Sequence, residues 1–100
     1  MYKVSPTTKK ITFKMKLPDA RSVALGGDFN NWSTQAHQMK KGKDGVWKID
    51  LKLKAGEYQF RYFVDYNYWI NDDDALQVAN AFGTDNSVAR IQFKASSKKK

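Results

Sequence analysis

The chain has no cysteine among its 100 residues. Disulfide staples, thiolate metal sites and a cysteine nucleophile are therefore excluded. It has one histidine, His37, so a histidine-rich metal centre is excluded as well. That residue lies in the polar stretch "STQAHQ" and reads as a solvated loop histidine rather than a general base. No run approaches the ~20 apolar residues that cross a bilayer. After Met1 the chain alternates apolar and basic residues and shows no apolar segment of a secretory signal,. The expectation is a soluble, cytoplasmic protein with no membrane attachment. Carboxylate clusters are equally scarce. Asp72, Asp73 and Asp74 stand three in a row, whereas glycosidic chemistry sets two acids across a cleft. They also lack the spaced ligands and closing glutamate of a calcium loop, so the triplet reads as a solvated turn. No glycine-rich phosphate loop opens a helix. Neither catalysis, nor a cofactor, nor a metal is expected.

What remains is a small, basic, aromatic-rich chain. Hydrophobic residues make up 41% and aromatics 14%, enough for one modest core, since a domain of this size buries roughly two-thirds of its unfolded surface. The net charge of +8 admits an anionic partner. Its distribution weakens that idea. Lys98, Lys99 and Lys100 follow "ASS" as a basic tail that reads as disordered, and most other lysines alternate with apolar residues as on a solvated strand face. Nucleic acid is therefore a disfavoured partner.

Period two dominates the sequence. Ile11, Phe13, Met15 and Leu17 share one face, with Lys10, Thr12, Lys14 and Lys16 on the other. Ser22–Leu25 starts a second strand, stopped by Gly26-Gly27. Asp44-Gly45 is a hairpin turn pair, after which Trp47, Ile49, Leu51 and Leu53 alternate with charged residues. Tyr58, Phe60, Tyr62 and Val64 form another inward set, with Gln59 and Arg61 facing away. The last strand runs roughly from Ser87 to Phe93, with Ala89, Ile91 and Phe93 inward. Residues 71–86 read as a looser stretch that holds at most one helical turn. Short strands and frequent turns point to an all-β fold, an antiparallel β-sandwich of six to eight strands. Its expected limits are residues 10–94, with an N-terminal arm over 1–9 and the tail over 95–100.

The aromatics supply the functional lead. Trp47 alternates with core positions and reads as core. Trp32, Trp69 and Phe82 instead lie in amide-rich surroundings, "FNNWS", "YWIND" and "NAFGTDN". Aromatic planes beside amides and hydroxyls suit a neutral sugar, which has an apolar C–H face and a rim of groups that donate and accept. Packing of its own loop is an equal alternative for any single ring.

Four segments in order, "VALGGDFNNW", "GEYQFRYFVD", "YWINDD" and "FGTDNSV", resemble carbohydrate-binding module family 48. That family includes the glycogen-binding domain of the AMP-activated protein kinase β subunit and the early-set domains of isoamylases and branching enzymes. The resemblance implies an immunoglobulin-like sandwich that binds α-1,4-linked glucan without catalysis. It also implies that Trp32 and Trp69 stack on consecutive glucoses and that Arg61, which replaces a lysine, donates to hydroxyls. By the same resemblance Phe82 stands for a ring-threading leucine, Thr84 and Asn86 keep polar roles, and Asn31 contributes at the rim. The "DYNYWIND" turn is one residue longer than the usual "DGQW" type, which makes Tyr68 a second candidate for the stacking ring. The implied partners are an α-glucan and a glycogen-metabolising enzyme. The alternative is an early-set protein-interaction or spacer domain with a degenerate sugar site.

Overall fold

A computed structural model describes residues 2–5, 8–72, 74–81 and 83–92. The described residues form nine strands, β1 (Tyr2–Val4), β2 (Lys10–Lys16), β3 (Val23–Gly27), β4 (Lys40–Lys41), β5 (Val46–Lys52), β6 (Gly56–Val64), β7 (Tyr68–Ile70), β8 (Leu76–Ala79) and β9 (Asp85–Ile91). Alternation of apolar and polar side chains is clearest in β2, β5 and β6. They form two sheets, ordered β1-β2-β5-β4 and β3-β6-β9-β8, with β7 also paired to β6. All pairings are antiparallel. The expected all-β sandwich is the fold.

Its inner layer is the set the alternation selects. Ile11 and Phe13 from the first sheet meet Phe60, Tyr62, Ala89 and Ile91 from the second. Phe13 and Phe60 cross edge-to-face at 5.1 Å, a favoured arrangement of ring quadrupoles. Trp47 is buried as expected, and its indole N–H donates to the Leu17 carbonyl at 2.9 Å. Phe93 and the basic tail lie outside the described residues.

Three segments depart from the sequence reading. Tyr2–Val4, within the expected arm, pair with Ile11–Phe13, and Tyr2 packs on Phe13 and Phe60. Residues 76–79 form an exposed edge strand on β9, so the helical turn allowed for this stretch is absent there; pairing to a neighbour overrides weak local preference. Gly26 and Gly27 continue β3 rather than stop it, for a reason that belongs to the site below.

The acidic triplet is not a solvated turn throughout. Asp73 lies outside the described residues, Asp74 is exposed, and Asp72 is buried. Asp72 accepts from the Tyr62 hydroxyl at 3.0 Å and from the Asp74 amide at 3.0 Å, while its own amide donates to Ser87 at 2.8 Å. Burial, with the Asp74 charge second, pushes the Tyr62 phenol well above its ordinary range. The unfolded chain therefore loses this proton first. The associated stability is full below a pH of about 10 and is lost as the pH rises above it. Tyr62→Phe is expected to remove that part of the alkaline slope. It should also lower neutral-pH stability by about 1–3 kcal/mol, because Asp72 loses a donor in a buried setting. Urea titrations of both proteins across the alkaline range check this.

Candidate functional site

On the outer face of the second sheet, Gln59, Arg61 and Phe63 of β6 point away from the core. Gly26 stands opposite Arg61 and Trp69 opposite Phe63. The Trp69 ring packs on Phe63 at 4.8 Å and extends across β3. A Cβ at Gly26 would meet Trp69 Cη2 and Cζ3 at 2.6 and 2.7 Å, closer than real carbons approach. Glycine here is thus the seat of the indole, and the strand continues beneath it. The hairpin before Trp69 absorbs its extra residue in a loop of Asp65, Tyr66 and Asn67. Asp65 and Tyr66 take φ of 55° and 54°, as in a type I′ turn.

Trp32 reaches the same face from the loop after β3. A 3₁₀ turn, Asp28–Asn30, opens that loop. The Asp28 carboxylate accepts from the Gln59 amide at 2.8 Å. Phe29 folds inward onto Phe13 and Tyr58 at 6.1 and 6.0 Å, and a Cβ at Gly27 would collide with it at 2.7 Å. Asn30 accepts from the Gly27 amide at 3.0 Å and donates to the Leu25 carbonyl at 2.9 Å and to His37 Nδ1 at 2.8 Å. His37 is therefore a half-buried strut, edge-on to Phe29, rather than a solvated loop residue. Asn31 and Trp32 then take left-handed φ of 56° and 59°, which costs roughly 1–2 kcal/mol per residue bearing a Cβ. The Trp32 amide donates to the Gly27 carbonyl at 2.9 Å and closes the turn. Its indole meets that of Trp69 at 6.0 Å with the planes 75° apart.

Below the two indoles lies a hollow of about 420 Å³, lined by Trp32, Arg61, Trp69, Asn80, Thr84 and Asn86, within the range of small-ligand clefts. A polar ladder forms its floor. Asn80 donates to Thr84 Oγ1 at 2.7 Å and to Asn86 Oδ1 at 3.1 Å, and Asn86 donates to Gln59 Oε1 at 2.9 Å. Arg61 is the charged member of the lining. Its Nε is buried and has no hydrogen-bond partner among the described residues.

Five of the residues singled out from sequence thus converge: Trp32, Trp69, Arg61, Thr84 and Asn86. Asn31 is exposed and does not line the hollow. Tyr68 pairs with Val64, a core-side position, so its 47% exposed ring lies on the opposite side of β7 from Trp69. Phe82 lies outside the described residues. Asn80 was missed. Its signal was an amide four residues before Thr84, at the neck of a hairpin that needs a side chain to close it.

Residues 8–97 match the family described as the glycogen recognition site of AMP-activated protein kinase. The chain belongs to that family. Carbohydrate binding is the property that defines this glycogen-recognition family. The module is 36% identical over 73 residues to the 1,4-alpha-glucan branching enzyme GlgB of Nostoc sp., covering 69% of this chain and 10% of the enzyme. It is 35% identical over 72 residues to 5'-AMP-activated protein kinase subunit beta-2 of Homo sapiens, covering 72% of the module and 25% of that subunit. The same identity and length hold against protein PTST homolog 2, chloroplastic, of Arabidopsis thaliana, of which 13% is covered. The chain therefore spans between a tenth and a quarter of the length of these curated relatives. No helix among its described residues is long and apolar enough to cross a membrane.

Proposed function

We propose that this module binds α-1,4-linked glucan (glycogen, starch or maltodextrin) non-catalytically in the hollow lined by Trp32 and Trp69. The observation that carries the reading is the 75° corner of the two indoles above a floor of amides, a hydroxyl and one guanidinium. An α-1,4 chain curves, so successive glucose rings present their apolar faces at an angle to one another. Two walls in a corner suit that curve; a flat β-1,4 ribbon calls for coplanar rings. Arg61 offers N–H donors to sugar hydroxyls, while Asn80 spends both of its own on Thr84 and Asn86 and holds them in place. Thr84 Oγ1 accepts from Asn80 and so has its own O–H to give. None of these lining groups is a general acid at neutral pH, which supports binding without hydrolysis. In a longer cytoplasmic chain, such a module would hold a glycogen-metabolising enzyme against its polymer.

Calorimetric titration with maltoheptaose and cellohexaose, at low and high salt, tests the proposal. The ligand is neutral, so maltoheptaose affinity should be unchanged by salt, and cellohexaose should bind at least about tenfold more weakly. Failure of maltoheptaose to bind at millimolar concentration overturns the glucan reading and leaves a protein-interaction or spacer domain.

A further inference from the structure

The face opposite the indole hollow is rich in lysine. On the outer side of the first sheet, Lys14, Lys48 and Lys40 stand directly across three adjacent strands. Lys10 faces Lys52 two rows further along, beyond the Thr12–Asp50 row, and Lys3 and Lys16 point the same way from β1 and β2. Like charges set directly opposite each other destabilise a sheet, and ordinary soluble surfaces mix the two signs. Here the single carboxylate among these outward positions, Asp50, is bound by Thr12 Oγ1 at 2.6 Å.

This face is bordered by an open strand edge. β4 is two residues long and pairs with Trp47 and Lys48 alone. The Gly42 amide donates to the Val46 carbonyl at 2.8 Å. The peptide groups that alternate with Val46, those of Lys48, Asp50 and Lys52, therefore face the same edge. Beyond Lys48 no described strand pairs with that edge. A hollow of about 670 Å³ opens beside it, bordered by Lys40, Gly42, Lys48 and Asp50.

We infer that this lysine face and the free edge of β5 together form a docking surface for an extended acidic segment of a partner protein. The unpaired edge offers the backbone of an added strand its hydrogen bonds. Strand alternation then sends every second side chain of that segment onto the lysines. Its other side chains fall toward half-buried Leu51 and Leu53 at the rim of the core. The fitting motif alternates Asp or Glu with apolar residues. No arginine or aromatic ring stands among the outward positions, so the face lacks the fork and the stacking planes that suit phosphates and bases. Because it lies on the other side of the sandwich, it can be filled while the indole hollow is occupied, and the inference does not rest on the glucan reading.

Fluorescence anisotropy with the full chain and a labelled peptide alternating glutamate and valine tests it. Comparison probes are the same peptide N-methylated at alternate amides, a thymidine oligonucleotide, and phosphatidylserine vesicles. The peptide is expected to bind saturably, more weakly as salt rises, and undiminished by excess maltoheptaose or by Trp32→Ala. Lys48→Glu and Lys52→Glu should each weaken it about tenfold, Lys48→Gln by less, and N-methylation should abolish it. Circular dichroism of each variant establishes that it is folded, as exposed positions allow. The inference is overturned if the peptide does not bind, if the N-methylated form binds as well, if folded charge-reversal variants bind unchanged, or if the oligonucleotide or the vesicles bind more tightly than the peptide.

Discussion

Trp69→Ala is expected to abolish retention of the module on glycogen beads while leaving it folded. The indole is one of the two walls of the hollow, and it stands on the outer face of the sheet, away from the core cluster. Truncating such an aromatic anchor typically removes about 2 kcal/mol or more of binding energy, and at a weak, open site this is nearly all there is. A subtler variant separates the ring's position from its presence. Gly26→Ala adds one methyl group where Trp69 carbons would lie 2.6 Å away, so the indole must lift off the strand and the corner with Trp32 must open. Glucan affinity should fall by about tenfold although every sugar-contacting side chain proposed here is intact. Stability should hardly move, since alanine is no worse than glycine inside a strand. Bead retention and thermal melts of the two variants read both quantities. A Gly26→Ala protein that binds like the parent would show that the seating of Trp69 is irrelevant to binding.

The largest loss of stability is expected from Phe13→Ala. Phe13 is fully buried and touches Phe60 at 5.1 Å, Tyr2 at 6.1 Å and Phe29 at 6.1 Å. It thereby joins both sheets to the loop that carries Trp32. Emptying such a position costs about 3–5 kcal/mol, set against a total of about 5–15 kcal/mol for a domain. The variant should be marginally folded at room temperature, with a strongly reduced urea midpoint and an unchanged slope. Because Phe29 loses its neighbour, the loop should loosen too, and residual folded protein should bind glucan more weakly. A midpoint close to the parent's would place the junction of the sheets elsewhere.

The fold was legible because alternation is a local property. Ile11 and Phe13, or Phe60 and Tyr62, declare their face two residues at a time, and burial follows. Illegible features depend on distant partners. Gly26-Gly27 looked like a strand end because nothing nearby announces the rings of Trp69 and Phe29 that occupy the missing side chains. β8 is exposed along its length, its Leu76 and Val78 included, so no buried face betrays it; only pairing with β9 makes it a strand. Asp72 looked solvated because its burial is set by Tyr62 and Ser87, ten and fifteen residues away. At the site, the ordered motifs named five residues that converge. Asn80 escaped because its role is to hold Thr84 and Asn86 in place, which composition does not reveal.

The adjacent glycines of β3 have one more consequence. Side chains on a strand alternate, so the vacancy at Gly26 opens outward under Trp69 and the one at Gly27 opens inward under Phe29. Neighbouring codons therefore carry separable genetic lesions. A substitution at the first should yield a folded protein that holds its ligand more weakly. One at the second strikes Phe29 and the Gln59 carbonyl and should yield a protein that fails to accumulate. A screen that scored abundance alone would discard the second class and miss the first.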